Sequence, residues 1–245
     1  MSEKKENNLE SIINENSYFY DQNGYIVLKS AIPNDLIDSY EKKWLEHHSK
    51  DGKITNLDGW QKSSSYLKNQ QILDILCHEN IFNFLNLIYP SLALHLSFTS
   101  WTSTKKSWHQ DFVDPDKDKA NNYVGVWVAL DKIHPNSGPF QFIPGSHKWE
   151  IDFNLIYSEQ NLDKPSSFFA KEIEKRQAPA YQFTGDKGDV LIWHGHLVHA
   201  GGIPADNSLL RKSLIGHYGK MMGSLVSYSA GRYYGDYTAA TDLYN

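Results

Sequence analysis

His109 and Asp111 stand two residues apart, and His199 and Arg211 follow further along the chain. In an extended segment residues i and i+2 point to the same side, so the His109 imidazole and the Asp111 carboxylate can reach one ion together. Two histidines and one carboxylate fill one face of an octahedral ion and leave the opposite face open, the arrangement a non-haem Fe(II) oxygenase needs. Two imidazoles and a carboxylate, those of His109, His199 and Asp111, are thus able to meet on one metal, which points to an enzyme. A His-x-Asp pair by itself is common in surface turns, so the assignment rests on what surrounds it.

Arg211 carries an independent argument. If 211–218 is a strand, Arg211, Ser213, Ile215 and His217 share one face, and Lys212, Leu214, Gly216 and Tyr218 the other. An arginine in a barrel-facing row with Ile215 is a costly buried charge unless it meets an anion. A dicarboxylate fits: the guanidinium binds a carboxylate through two parallel hydrogen bonds, and Ser213 can add a third. The alternative is an arginine paired with a structural aspartate or exposed at a strand end. Trp127 shares a strand face with Tyr123, Gly125 and Ala129, as a core residue or a wall of the same pocket.

These residues need elements to position them. Residues 1–16 are polar and charged and read as a flexible arm, leaving 17–245 as one domain. Tyr25–Leu28 reads as a strand, followed by a helix started at Pro33-Asn34-Asp35 and carrying Leu36, Ile37, Tyr40 and Trp44. The stretch 49–69, with Trp60, Gln61 and Lys62, reads as a long loop. A second helical region covers roughly 70–89. From Leu92 the period becomes two, with Leu92, Leu94, Leu96 and Phe98 on one face. Further strands are expected over 123–130, 140–143, 189–194 and 211–218, and 150–180 reads as a polar insertion with a short helix near 169–176. Helices first and strands afterwards predict a mainly β fold, a jelly roll with N-terminal helices packed on one sheet.

Composition narrows the function. A net charge of -5 with scattered lysine and arginine offers no basic stripe for nucleic acid. No stretch approaches the ~20 apolar residues of a membrane span. The single cysteine, Cys77, cannot form an internal disulfide, and the first residues lack an apolar leader, so a cytoplasmic place is expected.

Several ordered fragments carry a family likeness: Trp108-His109-Gln110-Asp111, Gly125-Val126-Trp127-Val128-Ala129-Leu130, Asn136-Ser137-Gly138 running to Ile143-Pro144-Gly145-Ser146-His147, Gly188-Asp189-Val190, His194 to His199, and Arg211-Lys212-Ser213. With these, the chain resembles the phytanoyl-CoA dioxygenase family of Fe(II)/2-oxoglutarate oxygenases over roughly residues 18–218. The resemblance implies a double-stranded β-helix of cupin type, Fe(II) on His109, Asp111 and His199, and O2 as oxidant. It also implies 2-oxoglutarate held by Arg211 with Ser213 and Trp127 beside it, and decarboxylated to succinate and CO2.

In the family the ligand precedes a small-residue pair, here Ala200-Gly201, which selects His199; His194 and His196 are then neighbours, with His194 a lesser candidate for ligation. Ala200-Gly201 departs from the commoner pair, which puts one cosubstrate hydrogen bond in doubt. His217 is expected to line the pocket and His147 to tie down a turn, while His47, His48, His78, His95 and His134 carry no partner pattern. The charged run 114–119, the loop around Trp60, and Arg232 with Tyr233 and Tyr234 are candidate contacts of a small-molecule substrate. Because Asp111 is retained, hydroxylation is expected before halogenation. Desaturation or cyclisation with the same cofactors is one alternative, and a non-catalytic, cupin-like metal sensor is another. The absence of a His-Glu-x-x-His helix argues against a zinc hydrolase.

Overall fold

The computed structural model describes residues 15–57, 66, 69–89, 92–111, 123–156, 165–220, 231–234 and 237–240. Overlapping the expected arm of 1–16 only at its last two residues, 15–23 form a helix, α1, whose Tyr20 is buried edge-on against Phe84 and close to Tyr89. One apolar anchor in a polar stretch suffices to dock a helix, and composition averages it away. Residues 1–14 lie outside the described residues.

β1 (Tyr25–Leu28) and α2 (Asn34–His48) form where expected. α2 buries Ile37, Tyr40 and Trp44, a stripe at i, i+3 and i+7. Inside the expected loop, β2 (Ser49–Lys50) and β3 (Lys53–Ile54) pair as a small hairpin, while Trp60, Gln61 and Lys62 lie outside the described residues. The predicted helical region 70–89 is two helices, α3 (Gln70–Leu76) and α4 (Glu79–Ile88). His78 makes the break: its ring nitrogen accepts the backbone N–H of Asn80 and caps α4. Hydrophobic period runs on through such a break and does not report it.

The strands then follow: β4 (Leu92–Ser100), β5 (Tyr123–Ala129) and β6 (Phe140–Phe142). After two helices, α5 (Phe153–Ile156) and α6 (Pro165–Arg176), come β7 (Tyr181–Phe183), β8 (Val190–His194), β9 (His199–Gly201), β10 (Ser213–Lys220), β11 (Gly231–Tyr234) and β12 (Tyr237–Ala240). Seven form one sheet in the order β1-β8-β5-β10-β4-β12-β11, antiparallel except where β12 runs parallel to β4. A second sheet has the order β7-β6-β9.

The large sheet buries one face beneath the helices, where Val124, Val126, Val128, Ile192, Leu214 and Tyr218 join Ile37, Tyr40, Leu76 and Phe82. Its other face turns Trp127, Leu191, Trp193 and Ile215 toward Phe140, Phe142 and Phe183 of the small sheet. The result is the expected jelly roll with N-terminal helices on one sheet, and the gap between the sheets holds the candidate site.

The leucine row of β4 does not keep to one face. His217 pairs with Leu96 but the next residue, Tyr218, pairs with Leu94, so the register slips by one at His95. A bulge of this kind reverses which face the following side chains take. Leu92 and Leu94 therefore pack under the helices, whereas Leu96 and Phe98 face the gap. His95 is carried inward at the bulge, where its ring sits 5.3 Å from Tyr123.

The polar-looking insertion hides a third cluster: Ile156 and Phe169 are buried with Ile143 and Val198. The charged run 114–119 lies outside the described residues, as do the side chains of Arg232, Tyr233 and Tyr234, which fall on β11.

Candidate active site

His109 and His199 meet as a cross-strand pair. Each backbone N–H donates to the other's carbonyl at 2.9 Å, an isolated antiparallel bridge at the edge of the small sheet. Residues paired in this way project to the same side, which places the two rings 4.1 Å apart between centroids. Asp111, two residues on, is held by its own N–H to the Gly195 carbonyl at 3.1 Å and returns to that side.

One carboxylate oxygen of Asp111, Oδ1, lies 3.5 Å from Nε2 of His109 and 3.5 Å from Nε2 of His199. The three ligand atoms all lie within 4.8 Å of one another, a spacing that one ion can bridge, and this is the sole such group found among the described residues. Both rings are oriented from behind. Nδ1 of His109 lies 2.6 Å from the Ser107 carbonyl and Nδ1 of His199 lies 2.8 Å from that of Leu197. A carbonyl only accepts, so Nδ1 carries the proton and Nε2 presents its lone pair toward Asp111.

Electrostatics favour the same state. Burial, with His199 alongside, pushes the His109 pKa down to about 4 despite the opposing pull of Asp111. Burial alone would raise Asp111; the imidazoles of His199, His217 and His109 gathered around it outweigh that and hold the carboxyl well below its usual range. A neutral imidazole and an ionised carboxylate are the forms that bind a divalent cation.

The three side chains open onto a cavity of about 440 Å3 between the sheets, lined also by Trp127, Arg211, Phe98 and Trp193. Arg211 is 2% exposed. Its two terminal nitrogens donate to the carbonyls of Gly138 at 3.2 Å and Thr102 at 3.1 Å, and its guanidinium carbon lies 5.7 Å from the centre of the Trp127 ring. Gly138 has φ 75°, and a methyl there would overlap the Gly202 carbonyl oxygen, so the Asn136-Ser137-Gly138 turn needs glycine to bring its carbonyl to Arg211. Among the described residues the buried Nε1–H of Trp127 has no hydrogen-bond partner, which leaves it as a donor in this cavity wall for a bound molecule. The cavity thus has three convergent metal ligands at one place and a fixed cation at another, a fit for a metal and a carboxylate-bearing molecule.

Other expectations shift. Ser213 is fully buried and donates its hydroxyl to the Ser100 carbonyl at 2.7 Å, so its proton is spent and it does not line the cavity. Thr104, a cavity residue the sequence did not single out, has its hydroxyl where a side chain at Gly201 would go. His194 and His196 turn to a different cavity with His147, and His194 accepts the His196 backbone N–H at 3.0 Å. His147 reaches the Asp21 carbonyl at 3.0 Å, the tying role expected of it. His217 does line the site, with Nδ1 3.8 Å from Oδ2 of Asp111. Trp193 was missed altogether: its Nε1–H donates to Oδ2 of Asp111 at 2.9 Å. Its place two residues from Leu191 on β8 put it on the inward face, the one signal available.

The sequence profile described as Phytanoyl-CoA dioxygenase (PhyH) matches residues 20–203. Among curated proteins, the peroxisomal phytanoyl-CoA dioxygenase of Rattus norvegicus is 21% identical over 87% of this chain and 70% of its own length. Matches to the mammalian relatives span about two thirds of their length. Among solved structures, the epimerase SnoN in complex with Fe3+, alpha ketoglutarate and nogalamycin RO superposes with a TM-score of 0.68 at 16% identity, over 94% of this chain and 99% of that one. HygX from Streptomyces hygroscopicus, with nickel and 2-oxoglutarate bound, gives 0.64 at 14% identity, over 93% and 96%. At these identities the structural likeness establishes the double-stranded β-helix fold. No helix among the described residues is long and apolar enough to cross a membrane.

Proposed function

The chain belongs to the phytanoyl-CoA dioxygenase family, and from that premise we propose that it is an Fe(II)/2-oxoglutarate-dependent dioxygenase hydroxylating an unactivated C–H bond of a small molecule. Iron(II), when bound with O2 and 2-oxoglutarate, supplies the oxidising power, and the cosubstrate leaves as succinate and CO2. The observation that carries the reading is the pairing, in one cavity, of a His-Asp-His cluster with the buried guanidinium of Arg211.

The residues divide the work. His109 and His199 present Nε2 because Nδ1 is tied to a carbonyl, and Asp111 presents Oδ1. Arg211, anchored on Gly138 and Thr102, lines the cavity as the cation that would meet the distal carboxylate of the cosubstrate, with the Trp127 indole beside it. Orientation of the cosubstrate is thereby set from the end that does not react. Leu96, Phe98, Phe140 and Ile215 exclude water from the reacting end, which protects a strong oxidant from side reactions. A cytoplasmic place belongs to the proposal, since the one thiol, Cys77, is buried and pushed up to about 12 by that burial, a state suited to a structural residue.

The test is an anaerobic titration with Fe(II) and 2-oxoglutarate, then a screen of small molecules reading succinate release with the mass of the product. A product heavier by one oxygen supports hydroxylation. One lighter by a pair of hydrogens moves the reading to desaturation or cyclisation with the same residues. Binding of metal with no 2-oxoglutarate uptake and no turnover leaves a metal-binding sensor.

A further inference from the structure

Asp111 uses its two oxygens for different purposes. Oδ1 is the atom near both imidazoles, whereas Oδ2 receives the indole N–H of Trp193 at 2.9 Å. Trp193 is 2% exposed, and its ring is wedged between Phe140, at 4.9 Å between centroids, and the rings of His199 at 5.5 Å and His217 at 5.8 Å. It has no room to swing away.

The neighbouring strand is cut to fit it. Trp193 on β8 stands directly opposite Gly125 on β5, and a methyl at position 125 would overlap the six-membered part of the indole. Any side chain at that point would lift the ring off the sheet and withdraw its N–H from Asp111. A strand glycine costs stability and is kept where a close approach requires it. Gly125 and Trp193 thus form a matched pair that delivers one hydrogen bond to one carboxylate oxygen.

We propose that Trp193 is a positioning residue that keeps Asp111 monodentate, holding Oδ2 so that only Oδ1 faces the ion. The assignment rests on the reading of the site as an iron and 2-oxoglutarate centre, and coordination number gives it its purpose. An ion held by these three protein atoms would need open positions for the cosubstrate and O2. A carboxylate free to turn and bind with both oxygens would use up one of them. The indole N–H occupies the oxygen that would do so.

The experiment compares the full chain with Trp193→Phe and with a protein carrying 3-benzothienylalanine at 193, which keeps the ring shape and has sulfur where the N–H was. Co(II) is the probe, read by its affinity and by the intensity of its visible absorption, which reports coordination number and needs no turnover. The expectation is a fall in Co(II) affinity of roughly 10- to 100-fold and a changed visible spectrum, the same in both proteins, because an orienting partner of the Asp111 carboxylate has been removed. If the benzothienyl protein binds Co(II) with the parent's affinity and spectrum, the ring acts only by packing and the assignment is overturned, even if Trp193→Phe has lost its fold. If the parent takes up no Co(II), the reading of the site falls and the assignment with it. A parent that binds Co(II) and 2-oxoglutarate beside variants equal to it sinks the assignment alone.

Discussion

Replacing Arg211 by lysine tests the cosubstrate anchor while keeping the charge. The guanidinium is pinned by Gly138 and Thr102 through its two terminal nitrogens, and its planar fork matches a carboxylate, so a carboxylate meeting it gains a forked, charge-assisted contact. Lysine is a point charge that supplies one such bond and cannot hold both carbonyls. Losing one hydrogen bond to a charged group is worth about 1.5–3 kcal/mol, so the 2-oxoglutarate Kd should rise about 10- to 150-fold at 25 °C. Divalent-metal affinity should stay within about threefold, because His109, Asp111 and His199 form their cluster without Arg211. Surrendering one carbonyl partner costs about 1 kcal/mol of stability, a Tm drop of roughly 2–4 °C for a domain of this size. The assay is calorimetric titration of 2-oxoglutarate into protein preloaded with Co(II), with Co(II) titrated separately. An unchanged 2-oxoglutarate Kd, or a parallel loss of both affinities, refutes the role given to Arg211.

Gly138→Ala should lower stability by at least about 1–3 kcal/mol, since alanine must adopt φ 75° and meet the Gly202 carbonyl; a thermal melt within 1 °C of the parent, on the order of error, would contradict it. Acid should weaken the fold before the carboxylates titrate. Burial pushes His95 and His194 down to about 3, so the folded state keeps them neutral while the unfolded chain protonates near 6.5. The unfolded state then binds more protons and stability falls as pH drops through 6.5 toward 3, by up to about 1.4 kcal/mol per pH unit for each histidine. Urea unfolding at pH 7 and 5 measures this; equal stabilities would show that the rings are already charged or exposed. Divalent metal at about 100 times its Kd should add about 2.7 kcal/mol of stability, reversed by EDTA and lost in Asp111→Ala; a shift that survives in the variant places the binding elsewhere.

The pairing of His109 with Asp111 was legible because a two-residue spacing has a fixed meaning in extended backbone, and the burial of Arg211 because it shares a row with Ile215. Choosing among His194, His196 and His199 took the family likeness. The structure adds the reason: only His199 sits opposite His109 across the bridge. Ser213 misled because a face assignment says which way a side chain points but not which carbonyl waits there, and Ser100 was nearer. The bulge at His95 is invisible to alternation, since the pattern of leucines continues unbroken while the faces exchange. Trp193 could be placed on the inward face, but its hydrogen bond depends on Gly125 across the strand, a pairing that needs the sheet order.

The bridge between positions 109 and 199 sets a timetable for the molecule. Its two partners lie 90 residues apart, so on the proposed reading an emerging polypeptide could capture an ion only once the second imidazole has left the ribosome. Once caught, such an ion would act as a removable clasp on that long span, and the chain-entropy saving from tying off such a segment grows only slowly with its length. Depletion of the ion would therefore loosen the rim of the small sheet first, while the helix-covered sheet behind it has its own apolar support.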